Sequence, residues 1–295
     1  MTPRWLPWTT LVLAIALVSF NVGAFAEDAS VHVHPRLSSQ RVVVHKRIYG
    51  GTAAATGNTP WMAGLRFSAN ESSYCGGALV APQYVVTAAH CVTFRHAAPA
   101  VLYVSIGTSS IDGTDADVRT VSSMWTMPNF ASAPLGSDLA ILKLDAPSTK
   151  RPVALSKQWV HPNTTTVTFG WGQCSLSEPS SYHLLQANLT TIANAACQRR
   201  IRTASNDSVY TTWNATASHL CAGGVTGTGT CYGDSGGPLV AHPYLDTNLS
   251  LSQIVLVGIV SFGVKCADGV PDVFTRVSAT ATFIDEHVTG HRWVE

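Results

Sequence analysis

Charge is scarce in this 295-residue sequence: charged residues make up 12%, and 18 Lys+Arg against 17 Asp+Glu leave a formal net charge of +1. That is about half the charged share usual for soluble domains, roughly 25%. So even a balance gives no electrostatic reason to expect nucleic acid or an anionic membrane surface as a partner, and neither is expected. Fixed-period repeats and low-complexity tracts are missing, which excludes solenoids and disordered scaffolds. Helical periodicity is nearly missing too. Only Thr280–Val288 looks helical, with Phe283, Ile284 and Val288 near one face. Long apolar runs are confined to the start, where Arg4 precedes Leu11–Val18 and Ala24-Phe25-Ala26 supplies small residues at a cleavage site. That core is shorter than the roughly 20 residues a membrane span needs. Residues 1–26 are therefore expected to be a secretory signal peptide cut after Ala26, making the protein secreted and extracellular with no membrane association.

Export fits two features. Asn-x-Ser/Thr sequons occur at Asn70, Asn163, Asn188, Asn206, Asn214 and Asn248, marking exposed sites for glycosylation. Seven cysteines suit disulfides with one left over. Beyond a polar stretch ending in His45-Lys46-Arg47, the pattern is short apolar or alternating runs rich in Val, Ile and Thr. Examples are residues 83–88, 101–106, 139–144, 165–169 and 254–260, punctuated by Gly, Pro, Asn and Ser. Such runs predict strands, and because nothing alternates with helices they predict an all-β architecture of antiparallel barrels. The Pro-bearing segment 146–163 is the expected linker between two halves.

Three segments carry chemistry. Thr87-Ala88-Ala89-His90-Cys91 places a histidine just after an apolar strand, and Ser137-Asp138 places an acid just before one. Either alone reads more readily as structural. Gly233-Asp234-Ser235-Gly236-Gly237-Pro238 does not, because small and turn-forming residues around one serine cannot fill a core. A phosphate loop is excluded there, since no Gly-Lys-Ser/Thr follows and no helix begins. Together they supply a nucleophile (Ser235), a base to take its proton (His90), and a carboxylate to hold the base's tautomer (Asp138). The N–H groups of Gly233 and Ser235 can converge on an oxyanion.

On these motifs, in the order His, Asp, Ser, the chain resembles the trypsin/chymotrypsin family of serine proteases over roughly residues 48–290. The resemblance implies two six-stranded antiparallel β-barrels with a short C-terminal helix: an N-terminal barrel at about 48–155, a C-terminal barrel at about 156–280, and a helix at about 280–288. It implies a Ser-His-Asp acyl-enzyme mechanism without cofactor or metal. Arg47-Ile48-Tyr49-Gly50-Gly51 resembles an activation site, so residues 27–47 are the expected propeptide. Cleavage after Arg47, by another protease or by self-cleavage, would free the Ile48 amine to pair with Asp234. An ordinary basic linker is the alternative. The paired amine implies an alkaline limit to activity, and the need for a neutral His90 an acid limit.

The resemblance also implies disulfides Cys75–Cys91, Cys197–Cys221 and Cys231–Cys266, leaving Cys174 without a mate. Ser261-Phe262-Gly263 looks like the strand that pairs with substrate backbone, with Ser261 bonded to the triad aspartate and Gly263 keeping the pocket open. The acid that trypsins carry at the pocket floor is Gly229 here, while the wall position is Asp272. Asp272 is expected to attract Arg or Lys, with an apolar floor admitting Leu, Phe or Tyr. Its alternative is pairing with a neighbour such as Lys265, leaving a chymotrypsin-like pocket. Asp112, Asp115 and Asp117 occupy the loop where trypsins bind calcium, but their spacing does not reproduce that site. The expected molecule is a monomeric endopeptidase acting on proteins or peptides and met by protein inhibitors. The alternative function is a catalytically silent relative acting as an extracellular binding or inhibitor protein.

Overall fold

In a computed structural model of the chain, residues 48, 50–93, 101–173, 179–242 and 254–294 are described. The expected signal peptide and propeptide, Arg47, Cys174 and the Asn248 sequon lie outside them. Strand β1 (Thr52–Ala53) is followed by β2 (Met62–Arg66), β3 (Cys75–Ala81), β4 (Tyr84–Thr87), β5 (Tyr103–Ile106), β6 (Asp117–Thr126) and β7 (Ala140–Leu144). Strands β2 to β7 close on themselves as a six-stranded antiparallel barrel in the order β2-β3-β4-β7-β6-β5. Its interior is built by runs such as Tyr84–Thr87 and Ala140–Leu142, buried residue after residue because both faces are covered.

A second set follows: β8 (Ala154–Ser156), β9 (Thr165–Gly170), β10 (Leu185–Ile192), β11 (His219–Gly223), β12 (Pro238–Ala241), β13 (Val255–Phe262), β14 (Pro271–Arg276) and β15 (Trp293–Val294). Strands β9 to β14 close in the order β12-β9-β10-β11-β14-β13, with β12 returning to β13. The fold is thus two closed six-stranded antiparallel barrels, and closure leaves neither with a free edge. Two short pieces tie the chain ends to the second barrel: β1 adds antiparallel to β10, and β15 runs parallel to β8, itself parallel to β13. Trp61 meets Phe169 edge-on, ring centroids 5.4 Å apart, within a core that continues from one barrel into the other.

Helices are few. The expected C-terminal helix is α3 (Ala281–His287), entered through a 3-10 turn at Val277–Thr280 and anchored by buried Phe283 and Ile284. Helices α1 (Asn194–Ala204) and α2 (Ser208–Thr211) were not expected. Helix α1 buries only Cys197 and Ile201, one turn apart, and the Cys197–Cys221 disulfide pins it to β11. All three disulfides implied by the resemblance are formed, Cys75–Cys91, Cys197–Cys221 and Cys231–Cys266, at sequence separations of 16, 24 and 35. Loops of this size favour the folded chain by about 3–4 kcal/mol each, through the freedom removed from the unfolded one.

Candidate active site

The elements that carry the three segments converge at one end of the barrels. β4 runs into a single 3-10 turn, Ala89–Cys91, that lifts His90 off the strand end, where its side chain is 31% exposed. Asp138 is fully buried. The backbone just before it is forced, with Gly136 at a φ of 91° and Ser137 at 56°, and this left-handed turn aims the carboxylate at the turn bearing His90. Asp138 Oδ1 accepts the backbone N–H of His90 at 2.9 Å, and Oδ2 lies 2.7 Å from His90 Nδ1. Ser261 Oγ donates to Oδ2 at 2.6 Å, and Thr275 Oγ1 to the Asp138 carbonyl at 2.7 Å. A carboxylate so held makes Nδ1 the protonated nitrogen, leaving Nε2 with its lone pair outward. His219 lies buried nearby. Burial holds its imidazole down at about 4, and its Nδ1 accepts the Thr216 N–H, so it is neutral and does not compete for the Asp138 charge.

Ser235 sits in a loop pinned to both barrels. Its carbonyl accepts the N–H of Gly76, and Gly236 N–H bonds the carbonyl of Val260. A Cβ on Gly236, whose φ is 77°, would lie 2.6 Å from the Gly76 carbonyl oxygen and strike Thr87 Oγ1, so only glycine brings the serine this close to the strand leading to His90. Among the described residues, neither Gly233 N–H nor Ser235 N–H is given to another protein group. Two free donors on one turn are what an oxyanion needs. Between them, Asp234 turns inward and is buried, its oxygens accepting the N–H groups of Gly172 (2.8 Å) and Cys231 (3.0 Å). Burial pushes its carboxyl up to about 6, against those two bonds, and no cation among the described residues pairs with it. Ile48 is also fully buried, in the core of the second barrel.

Beyond the serine, Gly229, Gly263 and Asp272 form one wall. Asp272 is 2% exposed, and its Oδ2 accepts the Thr230 N–H at 2.7 Å. A Cβ on Gly229 would lie 2.9 Å from that oxygen, and one on Gly263 3.2 Å from Oδ1. Lys265, the neighbour named as a partner for Asp272, pairs instead with Asp268 at 3.3 Å on the surface. Three contributors were missed in the sequence, Thr230, Gly172 and Thr275, since single polar or small residues in strands and turns carry no signal. An aromatic ledge was missed as well: Phe262 stacks on Tyr210 (5.8 Å) and meets Trp213 edge-on (5.5 Å), and Trp213 Nε1 donates to Pro134 O.

The acidic loop has its own partners. Asp115 accepts from Ser109 N (2.9 Å), Ser109 Oγ (2.6 Å), Ser110 Oγ (2.9 Å) and Thr108 Oγ1, while Asp112 takes Thr114 and Tyr182, and Asp117 takes Ser148, Thr149 and Arg119. Protein donors therefore occupy the carboxylates that a cation would need.

The Trypsin family profile matches residues 48–284. The chain belongs to the trypsin family. Among its relatives is glucanase inhibitor protein 2 of Phytophthora infestans, 32% identical over 251 residues, covering 82% of this chain and 90% of that protein. Serine protease 28 of Mus musculus is 30% identical over 253 residues (82% and 89%). Trypsin of Saccharopolyspora erythraea is 30% identical over 248 residues (82% and 99%). Within this trypsin-family domain the disulfides Cys75–Cys91 and Cys231–Cys266 flank the histidine turn and the serine loop.

Proposed function

We propose that this trypsin-family chain is a secreted serine endopeptidase, made with a signal peptide (1–26) and propeptide (27–47) and activated by cleavage after Arg47. The observation that carries the reading is the fully buried Asp138 carboxylate, bonded to His90 Nδ1 at 2.7 Å and steadied by Ser261. A buried charge with that partner fixes the imidazole as a base. Ser235 Oγ attacks the scissile carbonyl carbon as His90 Nε2 takes its proton. The carbonyl oxygen becomes an oxyanion held by the Gly233 and Ser235 N–H groups. His90 then gives the proton to the leaving amine as the C–N bond breaks, and water cleaves the acyl-enzyme by the same steps. Each oxyanion donor is worth about 2.7–4 kcal/mol in such sites. Freed Ile48 pairs with buried Asp234 and orders the loop. The Gly229–Gly263–Asp272 wall supports acceptance of Arg or Lys, and of Leu, Phe or Tyr, before the cut.

The test is to cleave the purified precursor after Arg47, label it with an organophosphonate serine probe, and profile a peptide library, with Ser235→Ala as control. Absence of labelling at Ser235 after complete cleavage would refute the reading. The likeness to glucanase inhibitor protein 2 favours a second reading, an extracellular inhibitor of a glucanase. Under it, the Ser235→Ala protein would inhibit a glucanase as well as wild type does, and neither would cleave peptide.

A further inference from the structure

We propose that Asp272 makes the substrate pocket switch class with pH, taking peptides with Leu, Phe or Tyr before the scissile bond when its carboxyl is protonated and peptides with Arg or Lys when it is ionised. The proposal rests on the proteolytic reading above and names the regulation of that same site.

The geometry is of one carboxylate with nothing to neutralise it. Oδ2 is held by the Thr230 N–H at 2.7 Å, and Oδ1 borders the bare backbone of Gly263. Glycines at 229 and 263 bring no side chain of their own to the two carboxyl oxygens. The charged and titratable groups on every neighbouring element are spoken for. On β14 itself, Arg276 donates to the carbonyls of Ala217 and His219 and lies over the Trp159 ring at 3.7 Å. On β11, Ala222 stands opposite Asp272, Cys221 is in a disulfide, and neutral His219 bonds Thr216. Arg200 of α1 donates to the carbonyls of Gly224 and Gly269. On the segment after β13, Lys265 is taken by Asp268 and Cys266 by Cys231. From the serine loop come exposed Tyr232 and buried Asp234, the latter a second acid that opposes ionisation.

Burial with no counter-cation pushes the Asp272 carboxyl up to about 7, against the bonds from Thr230. The Asp272 wall therefore changes charge near neutral pH. Below that point the wall is a neutral hydrogen-bonding group beside glycines, and an apolar side chain enters without desolvating a charge. Above it the wall is an unpaired anion, and an arginine or lysine head supplies the missing cation. Cleavage after basic residues follows the ionised fraction and cleavage after apolar ones the protonated fraction, so preference for basic over apolar side chains should change about tenfold per pH unit, about 300-fold between pH 5.5 and 8.

The experiment has two arms. In the first, kcat/KM is measured from pH 5.5 to 8.5 on two peptides differing only in Arg or Leu before the cut. Their ratio cancels every pH-dependent step that both substrates share. In the second, benzamidine binding to Ser235→Ala protein, cut after Arg47 by added trypsin, is followed by calorimetry in two buffers of different ionisation heat. We expect the Arg/Leu ratio to climb about 300-fold between pH 5.5 and 8, and benzamidine to release close to one proton at pH 6 and none at pH 8.5. Asp272→Asn, which can still accept the Thr230 N–H, should flatten the ratio and abolish the proton release. A constant ratio in wild type with no proton release overturns the switch while leaving proteolysis standing. Proton release without turnover of either peptide supports the switch and overturns proteolysis.

Discussion

Asp234→Asn should change the pH dependence of stability with opposite sign in the uncut and the cut chain. In the uncut chain burial raises the Asp234 carboxyl from 3.8 to about 6 with no cation beside it. The folded state then holds a proton that the unfolded state has already released, so stability falls as pH rises from about 4 to 6. The group is fully buried, and two units at about 1.4 kcal/mol each make that fall about 3 kcal/mol. Under the proposed activation, cleavage after Arg47 would place the Ile48 ammonium against the carboxylate. Its pKa is then depressed, and its contribution is present above the ordinary carboxylate range and lost as pH falls. Removing one partner of such a pair typically costs about 3–5 kcal/mol. The assay is denaturant unfolding of wild type and Asp234→Asn, each on an uncleavable Arg47→Gln background and after cleavage, from pH 4 to 8. The readout is slope rather than offset, because asparagine turns one of the two oxygens that accept the Gly172 and Cys231 N–H groups into an amide nitrogen, which cannot accept either. Relative to wild type, the uncut variant should gain about 3 kcal/mol between pH 4 and 6, and the cut variant should lose stability at pH 7. Parallel curves for wild type and variant in the uncut form would refute the reasoning.

Ser261→Ala removes a 2.6 Å bond to the buried Asp138 carboxylate, worth about 1.5–3 kcal/mol for a charged acceptor, and should lower kcat roughly 10- to 100-fold with little change in KM; a wild-type kcat would contradict the role given to Ser261. Ile48→Gly should leave a cleaved chain folded by circular dichroism and nearly inactive, and full turnover would refute the activation pair. Although burial opposes ionisation of Asp115, hydrogen bonds from Ser109, Thr108 and Ser110 hold its carboxyl well below the usual range, so the loop is tied by protein donors. EDTA should then leave the Tm unchanged, whereas Asp115→Ala should cost about 1 kcal/mol; a chelator-induced drop in Tm would overturn this.

The strands were legible because Val, Ile and Thr recur in short runs closed by Gly and Pro, as at 84–87 and 140–144, and closure into barrels follows from how little helix the chain encodes. Helix α1 was not legible, since Asn194–Ala204 is polar on nearly every face and owes its place to Cys197 and Ile201. Nor were the pairings of β1 with β10 and β15 with β8, two-residue ladders chosen by what the barrels leave uncovered. At the site, the Gly233–Pro238 loop stands out because small and turn-forming residues around one serine cannot fill a core, whereas His90 and Asp138, beside buried Ala89 and Leu139, are read as a site only together with it. The bonds from Thr230 to Asp272 and from Gly172 to Asp234 join residues far apart in the chain, and only tertiary closure brings them together.

A Cβ at position 229 would lie 2.9 Å from the Asp272 oxygen, which also bears on how such a pocket can arise by single replacements. Acids at both positions at once would press two carboxylates into one dry chamber, so the two sites exclude each other. Under the proteolytic reading, a chain changing from a floor charge to a wall charge by single replacements would pass through a form with glycine at both positions and no charge beside the substrate.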